Sequence, residues 1–317
     1  MDILQIIKSD VLIKHKCYLN INSSVESNMF LKLLGVGFYC LGLGAWIISL
    51  FVFSVWATIF ILPGAIICFA AGYTVNILGR TSEWHGFRYH RIWNTVRYLF
   101  NFQLEYVHEK AEPYLNPENL EKKTHVIWGI YPHGHFSLTH AFYFILNPKF
   151  KDVVPVVHSV LFYLPILGSL MGWIGAVPAT EFNMKNVIHT NRSIVMAPGG
   201  ISDSYLLKNN IRKHHGFLRI AHETYATVIP VWCADERSYF HQWLPFGWTL
   251  EKYLFFPIPM FVWGYWWCPF NPKIPPKSRI FIGEPVVFWN DKVESRLTLE
   301  QGEKQYWAEI ARLQELA

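Results

Sequence analysis

The longest apolar run in the chain lies near its start. Between Lys32 and Arg80 no residue is charged, so Leu33 to Gly79 is an uncharged stretch of 47 residues. As continuous helix it would extend about 70 Å at 1.5 Å per residue, whereas a bilayer core is about 30 Å thick and is crossed by about 20 residues. One span leaves too much chain over. Two spans joined by a turn, near Ser54–Trp56 or at Leu62-Pro63-Gly64, consume it. Lys8, Lys14, Lys16 and Lys32 precede the run, and Arg80, Arg88, Arg91 and Arg97 follow it. Lys and Arg accumulate on the cytoplasmic side of membrane proteins, so both flanks are expected there, as a two-span or a re-entrant hairpin allows. The run starts too late and is too long for a cleaved signal peptide. This pattern divides the chain into an N-terminal segment over 1–29, a hydrophobic hairpin over 30–80 and a further domain over 81–317.

Beyond residue 80 the periodicity changes. Arg91–Phe100 places Ile92, Val96 and Leu99 on one face and Arg91 and Arg97 elsewhere, which predicts an amphipathic helix at headgroup level. Pro113, Asn116, Pro117 and Asn119 mark a loop. From residue 125, short β-branched runs predict strands at Val126–Ile130, Val153–Val157, Ile194–Ala197, Thr227–Trp232 and Arg279–Ile282. Helical patterns at Ser137–Leu146, Lys213–Glu223 and Leu297–Leu316 stand between and after them. Such alternation predicts an α/β fold with a mostly parallel sheet. Two more uncharged stretches need a place. Ser159–Ala179 lies between predicted strands and is expected to form a core helix or the wall of an acyl pocket. Tyr253–Phe270, broken by Pro257, Pro259 and Pro269 and rich in Trp and Tyr, is expected to be interfacial or acyl-lining.

Composition agrees with a membrane setting, since 16% of residues are charged against about 25% in soluble domains. The net charge of +5 is not gathered into a Lys/Arg run, which argues against a nucleic-acid partner. Cys17, Cys40, Cys68, Cys233 and Cys268 are widely spaced, giving neither a disulfide framework nor a metal-binding CxxC pair.

Polar chemistry gathers where predicted strands end. Val126–Ile130 runs into Tyr131-Pro132-His133-Gly134-His135, Ile194–Ala197 into Pro198-Gly199-Gly200-Ile201-Ser202-Asp203, Thr227–Trp232 into Cys233-Ala234-Asp235-Glu236-Arg237, and Arg279–Ile282 into Gly283-Glu284-Pro285. Ligands of open α/β sheets bind beyond the carboxyl ends of the strands, so the four loops are expected to line one site. His133 is the leading candidate for a general base. Pro132 fixes its approach, Gly134 permits close contact, and the helix starting near Ser137 would keep the imidazole neutral. Gly199 and Gly200 would offer backbone N–H groups to an oxyanion. The blander readings are a histidine bonded to a carbonyl, Asp203 as a plain helix cap, and a loop ion pair between Glu236 and Arg237.

These loops, in this order, resemble those of the type-2 diacylglycerol acyltransferase and monoacylglycerol acyltransferase family. Tyr131-Pro132-His133-Gly134 is similar to that family's signature tetrapeptide, whose His is its proposed catalytic residue. Gly199-Gly200-Ile201-Ser202-Asp203 resembles its Gly-Gly-x-x-Glu block, with Asp for Glu. His215-Gly216-Phe217, Pro230-Val231 and Glu236 resemble its Lys-Gly-Phe to Gly-Glu-Asn segment, read here as Asp235-Glu236-Arg237, and Gly283-Glu284-Pro285 its late Gly-Glu-Pro. The family's Arg between the first two motifs is absent, since Val177-Pro178 leads to Ala179-Thr180. The resemblance implies an acyl-CoA-dependent O-acyltransferase of the endoplasmic reticulum membrane. His133 would be the base, Asp203 or Glu236 would orient it, and Arg212, Lys213 and Arg219 would hold the CoA phosphates. Acyl-CoA enters as substrate and neither metal nor resident cofactor is expected. Partners would be the bilayer and a neutral lipid acceptor, diacylglycerol first, then monoacylglycerol or a fatty alcohol, with a lysophospholipid or lysophosphatidate as the alternative. Two rivals remain on sequence grounds: a di-iron membrane oxidase, suggested by His85-x4-His90, His135-x4-His140 and His214-His215, and a non-catalytic lipid-binding protein.

Overall fold

The computed structural model describes residues 34, 36–44, 63–64, 66–68, 70–71, 83–116, 125–134, 136–164, 167–200, 213–243, 261–265, 272–290 and 295–317. Two compact units emerge, one of Tyr89–His158 with Val177–Ala317 and the other of Met1–Arg88 with Ser159–Ala176.

The first unit is built on a seven-stranded sheet. Its strands are β1 (Phe102–Val107), β2 (Val126–Tyr131), β3 (Val153–Val157), β4 (Val177–Pro178), β5 (Ser193–Met196), β6 (Thr227–Cys233) and, after a β7 (His241–Trp243) and β8 (Phe261–Trp263) hairpin, β9 (Ser278–Ile282). The order is β1-β9-β6-β2-β5-β3-β4. Strands β6, β2, β5, β3 and β4 run parallel to one another, whereas β9 runs antiparallel to β6 and carries β1 with it. The sheet is thus mostly parallel, as the alternation predicts. All six residues of β2 are buried, as expected for a central parallel strand covered on both faces. A short β10 (Trp289–Asn290) and β11 (Ser295–Arg296) ribbon precedes the last helix.

Helices α1 (Ile92–Phe100), α2 (Glu181–His189), α3 (Gly216–Thr224) and α4 (Leu299–Leu316) belong to this unit. Helix α4 opens with a capping box between Thr298 and Gln301. It lays Tyr306, Ile310 and Leu313 into the core that includes Leu218, Val228 and Phe288; each such fully buried side chain contributes about 1.5–3 kcal/mol. Gly302 lets α4 approach the Phe288 ring so closely that any Cβ there would overlap it. Helix α1 forms within the stretch Arg91–Phe100 predicted to be helical. Val96 and Phe100 pack with Leu138, Phe142, Tyr239 and Phe240, which leaves Ile92 and Leu99 exposed. Arg97 is held by the Leu146 carbonyl at 2.7 Å and by Asn94.

In the second unit Trp84, Phe87 and Trp173 form one aromatic cluster. Arg88, expected as a basic flank, is fully buried and pairs with Glu83 at 2.6 Å. Among the described residues no helix is long and apolar enough to cross a membrane. Pro63 and Gly64 are helical, which removes them as the turn of a hairpin; Ser54–Trp56 and most of Leu33–Gly79 lie outside the described residues. Ser159–Ala176, most of the stretch expected to form a core helix or an acyl-pocket wall, groups with Met1–Arg88. Tyr253–Phe270 contributes the strand Phe261–Trp263 within its described part.

Candidate active site

Three of the four predicted loops meet. Because β6, β2 and β5 are adjacent and parallel, the chain after Tyr131, Met196 and Cys233 leaves at one edge of the sheet, with the His133 loop in the middle. The fourth loop does not join them. Ile282 stands opposite Val231 and Ile280 opposite Cys233, so antiparallel β9 delivers Gly283-Glu284-Pro285 to the other edge. There the Gly283 N–H donates to the Pro230 carbonyl at 2.9 Å, Glu309 of α4 accepts from the Glu284 N–H at 2.8 Å, and Glu284 pairs with Lys110 at 2.5 Å. This motif fastens the C-terminal helix to the sheet.

Strand β2 ends in a cis Tyr131–Pro132 peptide, followed by His133, which is partly exposed. Its Nδ1 lies 2.6 Å from the Gly134 carbonyl oxygen. A carbonyl only accepts, so this contact places the proton on Nδ1 and makes Nε2 the basic nitrogen. Burial pushes the imidazole below its ordinary value of 6.5, against the opposing effect of the Gly134 bond. The result is a histidine kept neutral, the state a general base requires.

The expected cause of that neutrality was the nearby helix start, and here the structure differs. The first N–H groups of the helix are already taken by a carboxylate. Glu236, 4% exposed, accepts from the Leu138 N–H through Oε1 at 2.6 Å and from the Thr139 N–H through Oε2 at 3.0 Å. Gly134 sits against the same side chain with φ of +63°, and a Cβ there would lie 2.8 Å from Glu236 Cγ. Glu236 therefore grips the backbone that follows His133, from Gly134 to Thr139. Burial raises its pKa to about 7, against the lowering effect of its bonds to Thr139 and Leu138. The neighbouring Asp235 takes Arg279, through the backbone N–H at 2.9 Å and the guanidinium at 3.1 Å.

The other predicted site residues are distributed as follows. Gly200 closes a turn by donating its N–H to the Ala197 carbonyl at 3.0 Å, which removes that amide from the candidate oxyanion donors. The turn has Pro198 at its second position and Gly200 at its fourth, as a type I turn favours. Asp203 and Arg212 lie outside the described residues. Lys213 Nζ stands 5.5 Å over the Trp307 ring, and Trp307 meets Tyr131 edge-on at 5.8 Å, so this cation approaches the Tyr131-Pro132-His133-Gly134 turn through one intervening ring. Arg219 pairs with Glu181 at 2.9 Å in an exposed cluster with Lys185 and Glu223. Its charge is engaged between α2 and α3.

Two residues without an assigned role join the site. His140, 5% exposed, bonds to the Val195 backbone of β5, and burial, then the proximity of His133, pushes its pKa down to about 3. Ser137 is buried at φ of +49°. Neither Ser137 Oγ nor His140 Nε2 has a hydrogen-bond partner among the described residues. The sequence signal for His140 was a histidine on the inward face of a helix, one turn past the motif. Cys233 is buried, and burial pushes its thiol up, which suits packing and not nucleophilic attack. Among the described residues no three His, Cys, Asp or Glu are grouped to hold a metal ion.

The structure thus joins a mostly parallel α/β sheet to a neutral histidine at the carboxyl edge of its central strand. The sequence model of the diacylglycerol acyltransferase family matches residues 50–252, which is most of the chain. The protein belongs to this family and is an acyltransferase of the diacylglycerol O-acyltransferase type. No solved structure matches the chain.

Proposed function

We propose that the protein transfers a long-chain acyl group from acyl-CoA to the hydroxyl of a neutral lipid, diacylglycerol above all, giving triacylglycerol. His133 Nε2 takes the proton from the acceptor hydroxyl as its oxygen attacks the thioester carbonyl. The tetrahedral oxyanion then collapses, the C–S bond breaks, and the proton on Nε2 passes to the departing CoA thiolate. The observation that supports this most is the neutral His133, with its proton held on Nδ1 by the Gly134 carbonyl. Backbone N–H groups at the motif turns would stabilise the oxyanion, and Lys213 is the described cation best disposed toward a CoA phosphate. The uncharged run at Leu33–Gly79 anchors the enzyme as a hairpin in the endoplasmic reticulum membrane, with the sheet on the cytoplasmic side.

The experiment uses membranes expressing the full chain, labelled oleoyl-CoA and a panel of acceptors. Label in triacylglycerol that disappears with His133→Ala at unchanged expression supports the assignment. Label confined to phospholipid moves the acceptor to the lysophospholipid class, and full activity of His133→Ala overturns the base.

A further inference from the structure

Ser137 stands where a serine ordinarily caps a helix, since its carbonyl accepts the first helical bond, from the Ala141 N–H at 2.9 Å. A capping hydroxyl accepts from the second or third N–H of the helix, and the residue sits on extended backbone. Ser137 departs from this pattern. The first two N–H groups, of Leu138 and Thr139, are bonded to Glu236. Ser137 has φ of +49°, a conformation costly for a residue with a Cβ. The carboxylate has taken over the cap, and the hydroxyl is released from it. Ser137 is 7% exposed, and its Oγ has no hydrogen-bond partner among the described residues. Leaving a buried hydroxyl unpaired costs free energy, so beside a catalytic histidine it points to a group that arrives with the substrate.

The released hydroxyl lies in the same turn as the base. A Cβ on Gly134, the residue after His133, would lie 3.1 Å from Glu236 Oε1. The same oxygen accepts from the N–H of Leu138, the residue after Ser137, at 2.6 Å. One carboxylate oxygen thus draws together the two ends of the turn, with His133 just before one contact and Ser137 just before the other. Chemistry separates Ser137 from the other unpartnered atom there, His140 Nε2. The bond of His140 to the Val195 backbone raises its pKa, so the ring donates that bond and its remaining nitrogen only accepts. A lone pair repels an oxyanion, whereas a hydroxyl proton stabilises one. The nearby amides are committed, those of Leu138 and Thr139 to Glu236 and that of Gly200 to the Ala197 carbonyl.

We propose that the Ser137 hydroxyl is an oxyanion donor of the acyl transfer and therefore a catalytic residue, an inference that rests on the acyltransferase mechanism with His133 as base. As the acceptor oxygen bonds to the thioester carbonyl carbon, its proton passes to His133 Nε2 and the carbonyl π pair moves onto oxygen. Ser137 donates a hydrogen bond to that oxygen and keeps its own proton throughout. The pair returns to re-form the carbonyl as the C–S bond breaks. Burial strengthens the effect, because a donor held out of water needs no reorganisation when the charge develops.

The test compares Ser137→Ala and Ser137→Gly in the full chain, in membranes supplied with labelled oleoyl-CoA and diacylglycerol. Removing one oxyanion donor lowers kcat by about 100- to 1,000-fold, and both variants should show that loss with KM for oleoyl-CoA within about twofold of wild type. Glycine tolerates positive φ, so Ser137→Gly should unfold in detergent at or above the wild-type temperature even as its kcat falls. Both variants should bind the thioether analogue of oleoyl-CoA, which lacks the carbonyl oxygen, as tightly as wild type. A kcat within about tenfold of wild type in either variant overturns the proposal. So does a lower unfolding temperature in Ser137→Gly or weaker binding of the analogue, since either makes the role structural. If the Ser137 variants keep their kcat while His133→Ala has none, only this donor falls; a wild type that transfers no acyl group to any acceptor overturns the mechanism as well.

Discussion

Glu236→Gln is the most discriminating substitution, because it preserves shape while removing half of what the carboxylate does. Each of its oxygens takes one backbone N–H, Leu138 at 2.6 Å and Thr139 at 3.0 Å. A glutamine offers one oxygen and one NH2 group, so one N–H loses its acceptor and faces a donor. A buried donor left without a partner costs about 1–3 kcal/mol. If that cost falls on the turn carrying His133 and reaches the transition state in full, it corresponds to a roughly 5- to 150-fold loss of kcat. There is a second signature in pH. Burial raises the folded-state pKa of Glu236 to about 7 from 4.5. Stability from this group is therefore fully present below pH 4.5 and is lost as pH rises through 7. The wild type should unfold at lower temperature at pH 8 than at pH 5, with a contribution from this group of about 3 kcal/mol. In Glu236→Gln that slope should be reduced. The assays are kcat for acyl transfer and thermal unfolding in detergent across pH 5 to 8. A variant with wild-type kcat would refute the idea that Glu236 holds the catalytic turn, and an unchanged pH slope would refute its raised pKa.

Gly134→Ala should abolish acyl transfer and lower stability by about 1–3 kcal/mol, since it combines a positive φ with a 2.8 Å approach to Glu236; thermal unfolding and kcat check both. Gly283→Ala meets Glu309 at 2.7 Å at the opposite sheet edge, so it should lower the unfolding temperature while KM for acyl-CoA stays within about twofold of wild type. Because burial lowers the pKa of His133, the acid limb of the kcat/KM profile should fall below pH 6.5; a limb above that value would speak against His133 as the base. His140→Ala, which removes a buried neutral neighbour of His133, should leave a measurable rate with a displaced acid limb, whereas His133→Ala should leave none.

Strands made mostly of buried apolar residues were legible in the sequence almost to the residue, as Val153–Val157 and Val126–Tyr131 illustrate. Their burial on both faces demands that composition. Phe102–Val107 escaped notice because it is an edge strand, with Gln103 and Glu105 interrupting its apolar positions. Strand direction was not legible at all. Arg279–Ile282 has the composition of its parallel neighbours, and only pairing reveals that it runs the other way, which is why the Gly283 loop was expected at the site. The His133 turn was visible from Pro132 and Gly134. The role of Glu236 was not, because a residue 98 positions beyond Leu138 reaches that turn only through the adjacency of β2 and β6. Helix α1 was legible as an amphipathic helix, but the choice of Val96 over Ile92 and Leu99 for the core was not, because the three are equally apolar. Packing selects Val96 with Phe100, which meets the aromatic rings of Phe142 and Tyr239.

The reversed strand β9 sets a timetable for biosynthesis. Strand β1 has β9 as its sheet neighbour, and Phe102 pairs with Ser278. A ribosome adding about 5–20 residues per second needs roughly 10–35 s to travel between them. Throughout that interval the β1 segment waits without its sheet neighbour, close in sequence to the uncharged run that ends at Gly79. Exposed polar edges are what keeps such a segment from pairing with a neighbour, and Glu105 supplies the charge at its centre. In the finished fold that same residue lies 3.8 Å from Lys277, one position before β9 begins. The side chain that keeps the waiting strand apart from other chains also meets its own partner strand on arrival.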